Sequence, residues 1–504
     1  MLPRRGWAEP GWVAVAGAAA VAVALTLRAT AHYGPGAEPD TVTYLAAAHH
    51  LRAGDGFADI DGSPLTLFPP VFPAAVAVLE WSGLAPLSAA RILNAAMLGV
   101  LVVLAAVWAR RISGSRLLGT VVAVVVAVAT PMVTMASNAL SEPVGIVAVV
   151  ACLLFLTEAL RADGLRLRWP VLAGLAAAVA CLARYASIVL FPVGVVALLA
   201  RSGGWKARFR SLATFLAAGG IPLAAWLARN VAAAGNATGD GRGTSALGLL
   251  TSLKLTLASV GAWVLPGAAP VILQAVVGGA MCAAVAGGLW LTGARRRPAL
   301  PAAVFVVLGV GSVVWFEWRM AIDPPPRFLL PMFVPLLVGA AIIVAEAQRR
   351  WSWSPGVAAV VVVVVVAASL PGLTLFVQQA DREGLLDYST PAWRSSPTLA
   401  YLRAHPVRGI VASDDPYVLD LRLGIPAEET PARTYYASNE TTGELPAFVE
   451  EAARAGGGGL SVVWFPRSYQ SFLYSLSDLE RAVCLRVEQH FADGDLLRPC
   501  TAGT

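Results

Sequence analysis

Two carboxylates and three arginines stand out by type and position. Asp40, in "EPDTVTYLAAAHH" (38–50), follows closely on the first long apolar run. An acid at that depth could reach both a phosphate carried on a lipid and an acceptor dissolved in water. The same position suits the N-cap of a helix, and Glu38 beside it competes for either task. Glu142, in "SNALSEP" (137–143), sits where a helix begins, and a carboxylate there stabilises the N-terminus by roughly 0.3–1 kcal/mol. Two acids at the edges of separate apolar segments, joined by Asn138, could instead converge on one hard divalent cation such as Mg, Mn or Ca. Arg242 in "ATGDGRGTS", Arg319, and Arg327 in "DPPPRFLLP" carry the fork-shaped guanidinium that suits phosphate. Arginines at such edges also reach out to lipid headgroups.

The elements that would position these groups are membrane helices. The 504-residue chain is 57% hydrophobic and only 13% charged, against about 25% charge in soluble domains. Apolar runs long enough to cross a bilayer recur along it. They fall near 11–31, 86–109, 117–135, 143–160, 169–183, 186–200, 211–230, 267–293, 299–316, 328–346 and 355–377, about eleven spans. Basic clusters such as Arg110/Arg111, Arg161/Arg166/Arg168 and Arg295/Arg296/Arg297 then share one side, the cytoplasm by the positive-inside rule. That assignment requires 169–200 to be a tight hairpin turning near Arg184, and it places the N-terminus inside and the C-terminus outside. The net charge of +6 belongs largely to these loops and is no sign of a nucleic-acid partner.

The outward side then holds a long first loop (32–85), the short loop 136–142, a loop of mixed polarity (231–266) and the proline-rich 317–327. The first loop should carry two surface helices, near 40–53 and 72–83, separated by "FPPVFP" (68–73), which forbids a continuous helix. The chain divides into a membrane domain, 1–377, and a small extracytoplasmic α/β domain, 378–504. There "GIVAS" (409–413) and "GLSVVWF" (459–465) read as buried strands, and 484–500 as a hairpin turning at Asp493-Gly494. Ser477 with Glu480 reads as a capping box, and the glycines 456–459 as a helix end. Cys484 and Cys500, at the two ends of the hairpin and in an oxidising compartment, are expected to pair.

The order of "PDTVTYLAAAHHLRAGDGF…FPPVFPAAVAVL", "SNALSEP", "WLARNVAAAGNATGDGRG" and "PRFLLPMFVPL" resembles that of the GT-C glycosyltransferases. The bacterial enzymes related to protein O-mannosyltransferases and the lipid A aminoarabinose transferase are the most similar. The resemblance covers about 1–350 and is strongest over 39–80. It implies a polytopic helical membrane enzyme of the cell membrane that takes a sugar from a polyprenyl-phosphate donor. The sugar would pass to a hydroxyl of a glycan, lipid or protein acceptor on the outer face. Asp40 matches the family's catalytic base, and direct displacement would invert the anomeric centre. Glu142 matches a second acid, commonly Asp in the family, that with Asp40 would hold a metal. Arg242 and Arg327 match the basic positions that hold the donor phosphate, and Arg319 is a further candidate for that task. The rival reading is a multi-span transporter or flippase of a lipid-linked or envelope substrate. Its ionisable groups would be expected near the membrane midplane, whereas here they gather at the outer edge.

Overall fold

The structure, a computed structural model, describes residues 10–162, 164–239, 244–245, 247–265, 268–291, 298–320, 326–351, 355–407, 409–435, 438–468 and 470–500. Fifteen helices come first: α1 Pro10–Ala29, α2 Pro39–Ala53, α3 Val71–Glu80, α4 Pro86–Ser113, α5 Arg116–Val128, α6 Thr130–Ala136, α7 Glu142–Arg161 and α8 Arg168–Ala183. They continue as α9 Leu190–Leu199, α10 Trp205–Ala234, α11 Leu249–Gly261, α12 Val271–Leu291, α13 Leu300–Arg319, α14 Phe333–Trp351 and α15 Pro355–Glu383. Among the described residues, seven helices are long and apolar enough to cross a membrane, or eight if the α5–α6 pair is one span.

The count of about eleven is therefore not reproduced by length and composition. The expected spans 169–183 and 186–200 are shorter pieces, joined at Arg184 through a 3-10 turn, Tyr185–Val189. α5 and α6 bend by 57° around Ala129, where Pro131 of α6 cannot donate a backbone hydrogen bond. The expected outward loop 231–266 contains α11, an apolar helix that lies backbone to backbone on α12. A Cβ at Gly261 would fall 1.9 Å from the carbonyl oxygen of Gln274, so only glycine allows that approach.

The two surface helices form as expected, with shifted ends. Glu38, not Asp40, occupies the N-cap of α2; its N–H donates to Thr41 Oγ1 at 3.2 Å, and Pro39 fills the first turn, where no donor is needed. Asp40 is thereby freed from capping. α3 packs beside α2, and Arg52 reaches the buried Glu80 at 2.9 Å.

Beyond α15 the chain is α/β. Five helices, α16 Pro391–Arg394, α17 Pro397–Ala404, α18 Pro416–Leu423, α19 Leu445–Gly459 and α20 Leu476–Ala482, surround five strands. These are β1 Ile410–Ser413, β2 Glu428–Glu429, β3 Leu460–Trp464, β4 Leu485–Phe491 and β5 Gly494–Pro499, in the order β2-β1-β3-β5-β4. β2, β1 and β3 are parallel, and β5 is antiparallel to both neighbours. The hairpin turns at the expected place, and Cys484 and Cys500 are disulfide-bonded with Cα atoms 5.5 Å apart. Two local readings are corrected. The capping box is Ser475 with Asp478, because Ser475 Oγ accepts from Asp478 N at 3.3 Å and Asp478 Oδ2 accepts from Ser475 N at 3.2 Å. α19 runs through all four glycines before β3 begins, since packing against the sheet outweighs their low helix propensity.

The two parts share one core. Ala37 and Val42 of the first loop are buried in the same cluster as Tyr388, Trp393, Val418 and Phe465. Tyr388 N donates to Ala37 O at 3.1 Å, and Arg28 of α1 pairs with Asp381 near the end of α15.

Candidate active site

A short backbone seam brings the two sequence-predicted acids together. Gly36 N donates to Ser137 O at 3.0 Å, and Ala139 N donates to Gly36 O at 2.8 Å. The first loop is thus hydrogen-bonded to the turn before α7. A Cβ at Gly36 would lie 2.2 Å from Asn138 Oδ1, so a larger residue here would displace the Asn138 side chain. Asn94 of α4, fully buried, fixes the other side of the turn by donating to Asn138 O and Leu140 O at 2.7 and 2.9 Å. Tyr44 of α2 bonds Ser141 at 3.1 Å. Asp40 in the first turn of α2 and Glu142 in the first turn of α7 are then held near one point.

At that point stands Arg327, at the start of the 3-10 turn Pro326–Met332 that leads into α14. Its guanidinium pairs with Glu38, lies 2.9 Å from Asp40 Oδ2, and approaches Glu142 Oε1 at 3.6 Å. Arg184, at the break between α8 and its 3-10 turn, binds the same Glu142 oxygen at 2.5 Å. Three carboxylates therefore surround two guanidinium groups. Glu142 is 2% exposed, while Glu38, Asp40 and Arg327 each keep about a quarter of the side chain open. Burial, followed by the charges of Asp40 and Glu142, pushes Glu38 up to about 7 in spite of its pairing with Arg327.

The cluster opens into a cavity of about 1540 Å³. One wall is apolar and runs down among the helices, with Ile188, Val189, Leu223, Leu227, Phe305 and Val313 along it. The opposite wall comes from the C-terminal region, including Trp393, Asp414, Asp415 and Tyr417. Glu317, near the C-terminal end of α13, also lines the cavity and accepts from Thr256 Oγ1 at 3.1 Å.

Of the expected site residues, Asp40, Glu142 and Arg327 come together. Arg319 does not: it is exposed at the last turn of α13 over the Trp318 ring, 5.2 Å from its centroid, in the manner of a residue reaching for solvent or headgroups. Arg242 lies outside the described residues. The spacing argument missed Arg184. Its signal was present, as a lone cation between two apolar stretches, but was read only as a turn. The Arg327 guanidinium lies between the carboxylates of Asp40 and Glu142. Among the described residues no group of three or more His, Cys, Asp or Glu side chains is arranged to hold a metal.

No family model matches the chain, and no curated protein does. Solved structures do. ArnT from Cupriavidus metallidurans, bound to undecaprenyl phosphate, superposes with a TM-score of 0.64 at 16% identity, over 98% of this chain and 99% of that one. The Archaeoglobus fulgidus oligosaccharyltransferase in its apo form gives 0.58 at 10% identity, over 92% of this chain and 70% of that one. The AglB oligosaccharyltransferase of the same organism, in complex with an inhibitory peptide and a dolichol-phosphate, gives 0.57 at 10% identity, over 89% and 69%. The chain shares the fold of these solved structures, and it does so over nearly the whole length of ArnT.

Proposed function

We propose that this protein is a membrane glycosyltransferase that takes a sugar from a polyprenyl-phosphate donor and passes it to an acceptor hydroxyl at the outer face. One observation carries the reading. A single cavity joins an apolar wall between helices to a pair of guanidinium groups and to the partly open carboxylate of Asp40. The neighbours described as bound to undecaprenyl phosphate and to a dolichol-phosphate support a ligand with a long apolar tail and one phosphate.

The tail would lie along the Ile188, Leu223 and Phe305 wall and bring its phosphate to Arg327. The acceptor oxygen attacks the anomeric carbon while the bond from that carbon to the phosphate oxygen breaks. The proton passes from the acceptor hydroxyl to Asp40, and the departing phosphate keeps the electron pair. Arg327 offsets the charge that develops there, a preorganised cation in the place of a metal. Direct attack from the far side inverts the centre. Before donor binds, Arg327 is engaged by Glu38 and Asp40, so the phosphate must draw the guanidinium away and leave Asp40 free to accept a proton. Arg184 holds Glu142 in place and sets the position of Arg327 from behind.

Orientation follows from the two ends of α7. Glu142 opens it and Arg161 closes it, 20 residues and about 30 Å apart. Arg161 meets Arg111 O there, and Arg201 reaches Ala159 O at 3.1 Å, so the basic ends gather opposite the site. By the positive-inside rule that end is cytoplasmic and the site, with the C-terminal α/β part, is outside. The gathering of ionisable residues at the two ends of the helices, away from the midplane, also favours an enzyme over a transporter. Purified protein in vesicles containing undecaprenyl-phosphate-linked mannose or aminoarabinose, supplied with envelope extract as acceptor, should move label from donor to extract. Binding of both donors with no transfer to any envelope fraction would overturn the proposal.

A further inference from the structure

The C-terminal wall of the cavity has a site of its own making. β2, β1 and β3 run parallel, with Ser413 paired to Glu429 on one side and to Val463 on the other, so their carboxyl ends share one edge of the sheet. The chain leaves β1 for β2 on one flank and then returns to β3 on the opposite flank. That reversal creates a crevice between β1 and β3, the place where open α/β sheets receive ligands. The residues just past these strand ends, Asp414, Asp415, Arg467 and Ser468, line the cavity together with Glu429.

Asp414 is the most informative of them. It is 2% exposed, and its Oδ1 accepts from Phe465 N at 2.7 Å across the crevice, while Oδ2 has no hydrogen-bond partner among the described residues. A buried carboxylate oxygen left bare costs about 1–3 kcal/mol or more, so an unfilled acceptor on a cavity wall points to a ligand that donates a hydrogen bond. Asp415 accepts from Tyr388 Oη at 2.6 Å and caps α18. Glu429 is open to solvent yet surrounded by protein, as expected for a group facing into a cavity.

We propose that the β1–β3 crevice is a subsite for an uncharged, hydroxyl-rich sugar ring. Arg467 on this wall pairs with Asp493 and lies over Trp393, so it is not free to hold a phosphate. Burial pushes Asp414 up to about 8 and Asp415 up to about 6, so at neutral pH the pair both donates and accepts hydrogen bonds, as sugar hydroxyls do. Tyr417, partly exposed on the same wall, offers a ring for the apolar side of a sugar. The subsite deepens the glycosyl-transfer reading by naming what the outer wall holds.

The test is saturation-transfer NMR on the full-length protein in nanodiscs. The probes are methyl α-mannoside, methyl α-glucoside and methyl β-arabinoside, with glucosamine and inorganic phosphate beside them. At least one neutral glycoside should bind, and Asp414→Asn and Glu429→Gln should each weaken it roughly tenfold, the loss of one hydrogen bond. Glu429→Gln leaves the strand backbone untouched and serves if Asp414→Asn fails to fold. No glycoside signal in the wild-type protein, binding of glucosamine or phosphate alone, or glycoside binding unchanged in a folded Glu429→Gln protein would each overturn the proposal. Undecaprenyl-phosphate-linked mannose that displaces the glycoside assigns the subsite to the donor ring, and one that does not assigns it to the acceptor. Binding without transfer would sink the enzyme reading alone, and transfer without binding would sink the subsite alone.

Discussion

The cavity has two acidic walls that handle their charge in opposite ways. On the membrane side, Glu38, Asp40 and Glu142 are answered by Arg327 and Arg184, with the nearest oxygen of Glu142 2.5 Å from Arg184. On the C-terminal side, Asp414, Asp415 and Glu429 are satisfied in part by backbone N–H groups and Tyr388, and Asp414 Oδ2, like Glu142 Oε2 on the membrane side, has no hydrogen-bond partner among the described residues. Acids paired with guanidinium groups suit a reaction in which charge moves, because cations already at the site can stabilise the departing phosphate. Unbalanced, partly protonated carboxyls suit recognition of neutral hydroxyls. The difference suggests that chemistry and recognition are divided between the two walls.

The largest effect expected of this division is at Asp40. Asp40→Asn should lower turnover by about 10²–10⁴-fold, the usual worth of a positioned base, and leave the affinity for undecaprenyl phosphate unchanged or tighter, since Arg327 is released. Single-turnover kinetics beside lipid-phosphate binding checks this, and a loss confined to binding would break the assignment. On the same wall, Arg184→Met leaves Glu142 without its nearest cation. Breaking a buried pair typically costs about 3–5 kcal/mol, whereas Arg184→Met combined with Glu142→Leu should recover much of that stability. Thermal unfolding of the single and double variants reads it, and additive losses would mean that the two residues are not coupled.

The opposite wall should show itself through pH. Asp414, Asp415 and Glu429 are raised by burial to about 8, 6 and 7, from ordinary values near 4 in the unfolded chain. The folded state then keeps protons that the unfolded state has lost, so stability falls as pH rises from about 4 to about 8. Glu38, raised to about 7, adds to the same slope. Unfolding midpoints at pH 5 and pH 8 should therefore drop with pH, and Glu429→Gln should gain on the wild type at pH 8 only. A midpoint that climbs over this range would contradict it. The smallest effect is expected from metal removal. With guanidinium groups among the carboxylates, a strong chelator should leave transfer unchanged, and recovery of lost activity by Mg, Mn or Ca would show that a cation takes part after all.

Several features were legible in sequence because they depend on local composition. The apolar runs, the surface helices interrupted by "FPPVFP", the strands 410–413 and 460–464 and the Cys484–Cys500 hairpin all follow from periodicity, proline and turn chemistry. So did the choice of Asp40, Glu142 and Arg327, polar groups at the ends of apolar segments. Span number was less legible, because α8, α9 and α11 are short apolar pieces whose burial comes from neighbours and not from length. Which candidates meet was decided only by tertiary structure. Arg319 and Arg327 looked equivalent, yet one lies exposed over Trp318 and the other lies among three carboxylates. Arg184 looked like a turn residue until α7 and α8 packed together and placed it on Glu142. Asp414 and Asp415 carry no signal in the sequence, and their place on the cavity wall depends on the strand order β2-β1-β3 and on the seam through Gly36 and Ala37. Local sequence sets the period, the caps and the turns. The meeting of side chains far apart in the chain depends on which surfaces pack and which backbones can approach, and no single segment holds that information.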